Sequence, residues 1–195
     1  MSQAGPYRVL TVCLGNICRS PLAERLLATR LNGAAEGGFA VSSAGVIGMI
    51  GRSMEPAAAA QLERLGGNPS GFVARRLDVH HVRNADLVLT ATVDVRRQAL
   101  EEAPGALRRT FTLLEFAALC STAGPELRGR PRELVADAAV RRATVGGQEL
   151  DIPDPMGRSD RTHARVADLI DGAVETIVAA LTSRGSRADG SASRG

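Results

Sequence analysis

Nine consecutive residues, Cys13-Leu14-Gly15-Asn16-Ile17-Cys18-Arg19-Ser20-Pro21, hold a thiol, a guanidinium and a hydroxyl in one short stretch. The stretch follows a β-branched run, Arg8 to Val12, and leads into a strong helix start at Pro21-Leu-Ala-Glu-Arg-Leu-Leu-Ala. A loop curling between strand and helix can turn successive backbone N–H groups inward. Gly15 relaxes that backbone, and the helix start adds free N–H groups and the positive end of a dipole. Such a loop seats a dianion, and Pro21 suits its exit because the first helical position needs no N–H. Cys13 faces that positive field, so its thiol is expected to ionise more readily than a free cysteine. The five residues between Cys13 and Arg19 let the loop close until the guanidinium lies beside the sulfur. There its planar fork can hold two phosphoryl oxygens. The Ser20 hydroxyl can donate to the thiolate, and Asn16 is suited to fixing the loop's shape. The chemistry implied is attack of sulfur on phosphorus, with the loop residues Leu14, Gly15, Asn16, Ile17, Cys18 and Ser20 around the bound phosphate.

That chemistry needs a second group, because a phosphate monoester leaves as a poor alkoxide or phenoxide unless it is protonated. Two aspartates stand in Asp151-Ile152-Pro153-Asp154-Pro155-Met156-Gly157, where the prolines stiffen the chain and Pro155 biases Asp154 toward an extended backbone. Aspartates in such a loop also serve as turn formers, and spacing alone brings neither of them to Cys13.

The elements around these residues alternate. Phe39 to Ser43 reads as a second strand, Pro56 to Leu65 as a helix, Ala85 to Ala91 as a buried strand and Val93 to Glu102 as a helix. Thr110 to Leu113 is a weak strand, while Leu114 to Cys120 and Arg132 to Arg142 look helical, the latter as an excursion from the core. Between Arg161 and Leu181, Val166, Leu169, Ile170, Ala173, Val174, Ile177, Val178 and Leu181 recur at helical spacing, the pattern of an amphipathic closing helix. The order predicts an α/β fold with a parallel sheet, in one domain over residues 1–182. Residues 183–195 carry nothing apolar to bury and are expected to be disordered.

The residues of the loop resemble a known family: Cys13 to Pro21 matches the signature of the low-molecular-weight protein tyrosine phosphatases at every position. The likeness extends through Ser42-Ser43-Ala44-Gly45, Val73-Ala74-Arg75, the Asp86 to Leu89 segment and Asp154-Pro155, with an unmatched insert over 121–149. It implies a flavodoxin-like fold, a parallel twisted sheet with helices on both faces. It implies Cys13 as nucleophile, Arg19 as phosphate ligand and, of the two aspartates, Asp154 as general acid, acting through a phosphocysteine without a metal or other cofactor. Ser43 matches a position that supports the loop. Cys18 matches one whose thiol can trap the oxidised nucleophile as a disulfide. Substrates implied are phosphotyrosine proteins, with small phosphate esters such as sugar phosphates as the alternative.

The chain also departs from the family. Aromatic residues usually wall the cleft, and those places hold Met49 and Met156, a softer apolar wall. Some relatives carry His before Val-Ala-Arg; here it is Phe72, so the network supporting the loop must differ. His80, His81 and His163 fall in expected surface turns or helix starts. An arsenate reductase would need two further relay cysteines, and Cys120 alone remains. A phosphate-capturing module without catalysis would be expected to have lost Cys13 or Asp154, and a pure redox sensor would show thiol reactivity without ester turnover.

Composition excludes other partners. All 24 basic residues are Arg, the net charge is only +3, and aromatics are 3%, too few for base-stacking platforms, so no nucleic-acid partner is expected. No apolar run is long enough to span a membrane, and three cysteines make no disulfide framework, which together suggest the cytoplasm.

Overall fold

The computed structural model describes residues 5–34, 38–147 and 149–182. The β-branched run forms β1 (Tyr7–Cys13), which is joined by β2 (Phe39–Gly45), β3 (Leu87–Thr90) and β4 (Thr110–Thr112). They pair in parallel in the order β2-β1-β3-β4. Alternation along the strands splits the core into two layers. Val9, Leu87, Leu89 and Phe111 point to one face, and Leu10, Val12 and Val88 to the other. The first face is covered by α1 (Arg19–Ala34), α2 (Pro56–Arg64), α5 (Leu113–Ser121) and α7 (Asp160–Thr182). The second is covered by α3 (Val79–Asn84) and α4 (Val93–Glu102). This single domain is the parallel α/β architecture expected from the alternation, in the flavodoxin-like arrangement that the resemblance implies. The expected tail, 183–195, lies outside the described residues. No helix among the described residues is long and apolar enough to cross a membrane.

Two elements differ from expectation. The third strand covers Leu87–Thr90 rather than Ala85 to Ala91, because Ala85 ends α3 and Thr92 already caps α4 by accepting from the Val95 N–H at 3.1 Å. The six residues of α3 are too few to show a helical period in sequence, and a capping box between Asp78 and His81 holds them.

The stretch 121–149 is built into the core by α6 (Pro131–Arg141), which buries Leu134, Val135 and Ala138. Its far end is pinned by charge. Glu115 is buried and accepts from the Thr112 N–H at 3.1 Å in a capping box, while pairing with Arg96 at 2.6 Å and with Arg142 at 3.3 Å. The Arg142 guanidinium lies 4.4 Å from the centre of the Phe111 ring and donates to the Thr110 carbonyl at 2.7 Å.

Strand order reverses direction between β1 and β3, and in open parallel sheets that switch point, beyond the carboxyl ends of the strands, is where ligands bind. Cys13 is the last residue of β1.

Replacing Glu115 by Ala takes the carboxylate away from two partly buried guanidinium groups. The substitution is expected to lower stability by roughly 3 kcal/mol, read as a lower urea midpoint with an unchanged slope.

Candidate active site

From Cys13 the chain turns through the loop and enters α1 at Arg19. What shapes the loop is the fate of its carbonyls. Cys13 O accepts from Val46 N, Leu14 O from Ile47 N and Gly48 N, Gly15 O from Met49 N, Ile17 O from Glu55 N, and Cys18 O from Leu22 N. With the carbonyls drawn outward by the segment between β2 and α2, the N–H groups turn inward. Among the described residues the amides of Leu14, Gly15, Ile17, Cys18 and Arg19 have no acceptor, and the Asn16 N–H points at Cys13 Sγ at 3.2 Å. This is a ring of donors around one sulfur, the arrangement that binds an oxyanion.

Gly45, at the end of β2, is there because nothing larger fits. A Cβ on it would stand 2.7 Å from Leu14 O and 2.8 Å from Asn16 N, both backbone atoms. Sequence reading saw Gly45 only as part of a matched segment.

Asn16 holds the loop from inside. It is fully buried with φ of 59°, a left-handed conformation that Asn tolerates better than most side chains. Its Nδ2 donates to Ser20 Oγ at 2.9 Å and Ser43 Oγ at 2.8 Å, and its Oδ1 accepts from Arg75 N at 2.9 Å. Ser20 Oγ in turn donates to Cys13 Sγ at 3.0 Å. Two members of this network, Arg75 and Glu24, were not singled out from sequence; Glu24 takes the proton of Ser43 Oγ. The only sequence signal for Glu24 is its position one helical turn beyond Ser20 on α1.

Arg19 joins the loop to the far end of the chain. It is 7% exposed; its NH1 donates to the Ile152 carbonyl at 3.0 Å and its NH2 pairs with Asp154 Oδ2 at 3.2 Å. Its Nε is buried and has no partner among the described residues. The two aspartates are thereby told apart. Asp151 accepts from Val93 N at 2.7 Å, at the start of α4, a structural task, whereas Asp154 stands beside Arg19, half exposed to solvent.

Leu14, Met49 and Met156 are partly exposed around the loop, with Ile47 and Ile50 more exposed beyond them. Met49 covers Gly15, its Cγ 3.6 Å from where a Cβ would sit. Ile17 and Cys18 point their side chains into the core, so only their backbone faces the loop. Burial, with Cys13 next in weight, pushes the Cys18 thiol up to about 12; burial does the same to Cys120. His163 sits at a helix start, in the first turn of α7, and is buried where that helix packs on the core. A cavity of about 400 Å³ between Arg8, Ser42, Arg75, Asp78 and His81 lies apart from Cys13 and Asp154, so its size does not mark the chemistry.

Comparison with known proteins gives a consistent answer. Residues 8–128 match the family model described as low molecular weight phosphotyrosine protein phosphatase. The chain is 31% identical over 176 residues to the low molecular weight protein-tyrosine-phosphatase Etp of Escherichia coli, covering 89% of this chain and 93% of that one. It is 34% identical over 176 residues to a protein-arginine-phosphatase of Geobacillus stearothermophilus, covering 90% of this chain and 97% of that one. Among solved structures, a low molecular weight protein tyrosine phosphatase from T. tengcongensis superposes with a TM-score of 0.68 at 26% identity, covering 88% and 97% of the two chains. The nine-residue loop, the parallel sheet that ends in it and these likenesses agree, and the chain belongs to the low molecular weight phosphotyrosine protein phosphatase family.

Proposed function

We propose that the protein hydrolyses phosphate monoesters through a phosphocysteine on Cys13, with phosphotyrosine proteins as the leading substrate class. The observation that carries the reading is the convergence on Cys13 Sγ of the Asn16 N–H and the Ser20 hydroxyl, in a loop that ends at the buried Arg19 with Asp154 beside its guanidinium.

The steps follow from the geometry. An incoming phosphate dianion takes the loop amides and Arg19 Nε and NH2, so it competes with Asp154 for the guanidinium and frees that carboxyl to take up a proton. The Cys13 thiolate attacks phosphorus as Asp154 delivers the proton to the leaving oxygen. Asp154, now a carboxylate, draws a proton from the water that cleaves the phosphocysteine, and the Ser20 hydroxyl stabilises the departing thiolate. Throughout, the amides and Arg19 carry the charge on the equatorial oxygens.

Leu14, Met49 and Met156 give the mouth an aliphatic, adaptable rim. A rim without rings leaves room for a second reading, phosphoarginine proteins, which the arginine phosphatase relative also supports. Leu14, Met49 and Met156 offer no polar side-chain group to the hydroxyls of a sugar phosphate. The free state of the three cysteines suits a reducing cytoplasm.

Steady-state hydrolysis of phosphotyrosine, phosphoarginine and phosphoserine peptides and of sugar phosphates, without added metal, tests this. Phosphotyrosine turnover is expected to dominate. It should vanish in Cys13→Ser and fall roughly 10²- to 10⁴-fold in Asp154→Asn, the usual worth of a general acid. Preference for phosphoarginine would move the substrate class and keep the chemistry, while equal turnover by Cys13→Ser would sink the mechanism. Gly45→Ala, which forces the loop backbone aside, is expected to lower kcat about 100-fold or more, with folding monitored by circular dichroism.

A further inference from the structure

The hydrogen bonds around Asn16 have a direction, and the direction runs to a carboxylate outside the loop. Asn16 Oδ1 is taken by the Arg75 N–H, so the amide nitrogen must face the other way and give its two protons to Ser20 and Ser43. Each hydroxyl, having accepted from Asn16, has one proton left to donate. Ser20 gives its proton to Cys13 Sγ at 3.0 Å, the nearer of its acceptors, and Ser43 gives its own to Glu24 Oε2. If Ser43 had no acceptor, its proton could be satisfied by a rotated Asn16 amide, which would present nitrogen to the Arg75 N–H and oxygen to the hydroxyls. Ser20 would then be drawn toward Asn16 and away from the sulfur.

We propose that Glu24 is a positioning residue for the reaction: as terminal acceptor of Ser43, it sets the polarity of the Ser43–Asn16–Ser20 chain so that the Ser20 proton points at Cys13. This rests on Cys13 being the nucleophile.

The surroundings of Glu24 support the assignment. The charged groups facing it are Arg25, on its own helix, and Arg75, from the segment between α2 and α3. Both are donors and neither can substitute for it as an acceptor. Arg75 Nε is itself engaged with the Ser43 carbonyl at 2.6 Å, and Arg25 lies over the Phe72 ring at 5.7 Å. The Phe72 side chain has no polar atom to contribute, and among the described residues Glu24 is the acceptor that Ser43 Oγ has.

Burial raises the Glu24 carboxyl above its usual range, with Ser43, Arg25 and Arg75 opposing. A protonated Glu24 keeps one acceptor oxygen but gains an O–H that competes for Ser43 Oγ, and the direction of the chain is weakened. Positioning is therefore strongest while Glu24 is ionised and weakens as pH falls through its raised midpoint. Glutamine at this position keeps an acceptor oxygen and does not titrate.

The test compares wild type, Glu24→Ala and Glu24→Gln. One readout needs no substrate: the rate of iodoacetamide alkylation at Cys13, followed by peptide mass spectrometry at pH 6. The other is the pH profile of kcat/KM for p-nitrophenyl phosphate. Glu24→Ala is expected to slow alkylation and lower kcat each about tenfold, the worth of one oriented hydrogen bond. Glu24→Gln should restore most of both and, because it does not titrate, lack the acid limb that Glu24 contributes in wild type. The proposal is overturned if Glu24→Ala loses thermal stability with alkylation and profile unmoved, or if Glu24→Gln is as impaired as Glu24→Ala. Should Glu24→Ala not fold, superimposable acid limbs for Glu24→Gln and wild type would overturn it alone. A wild type that turns over no ester would refute the phosphatase reading and leave the alkylation comparison in force.

Discussion

In a trans peptide unit the carbonyl and the amide N–H point in opposite directions, and the site depends on that constraint. The segment following β2 offers Val46, Ile47, Gly48, Met49 and Glu55 N–H groups to the outer edge of the loop, and the loop carbonyls turn to meet them. The inner edge is then lined with N–H groups, and a concentration of donors that would be costly around an apolar side chain becomes useful around a sulfur and a phosphate. Gly45 and the left-handed Asn16 are consequences of the same close approach: one clears the space and the other turns the chain inside it.

The remainder of the fold brings distant segments to this loop. The parallel pairing of β1 with β2 and β3 sets the switch point at Cys13, and α7 closes over α1 so that the segment carrying Ile152 and Asp154 reaches Arg19. Arg19 is buried at the junction, 133 residues from the carbonyl it holds. Breaking that junction would leave a buried guanidinium half satisfied, so the loop and the segment carrying Asp154 are coupled energetically as well as in space. Glu115 ties α4, α5 and the end of α6 together in the same way, away from the chemistry.

Local features were legible in the sequence, and long-range ones were legible only through likeness. Strand, loop and helix at Cys13 to Pro21 are contiguous, and each residue type states its reason. The β-branched runs and the period of α7 gave the layers, whereas α3, at six residues, carries no period to read, and Ala85 belongs to a helix end that a run of apolar residues conceals. Asp154 and Asp151 are indistinguishable by composition or local turn chemistry; the contact to Arg19 and the cap on α4 separate them, and both lie far along the chain. Glu24 reads as an ordinary helix-surface charge until β2 places Ser43 beside it. His163 falls at a helix start, as its sequence setting suggests, and the packing of α7 buries it there.

The central claim is that sulfur of Cys13 carries the phosphoryl group between substrate and water. The most direct measurement uses Asp154→Asn with p-nitrophenyl phosphate, whose leaving group needs little help from an acid while the hydrolytic step still lacks its base. Quenching during turnover and mapping the phosphorylated peptide by mass spectrometry is expected to find phosphate on Cys13. Continued release of p-nitrophenol with no phosphate on Cys13, or with phosphate on another residue, would contradict the account.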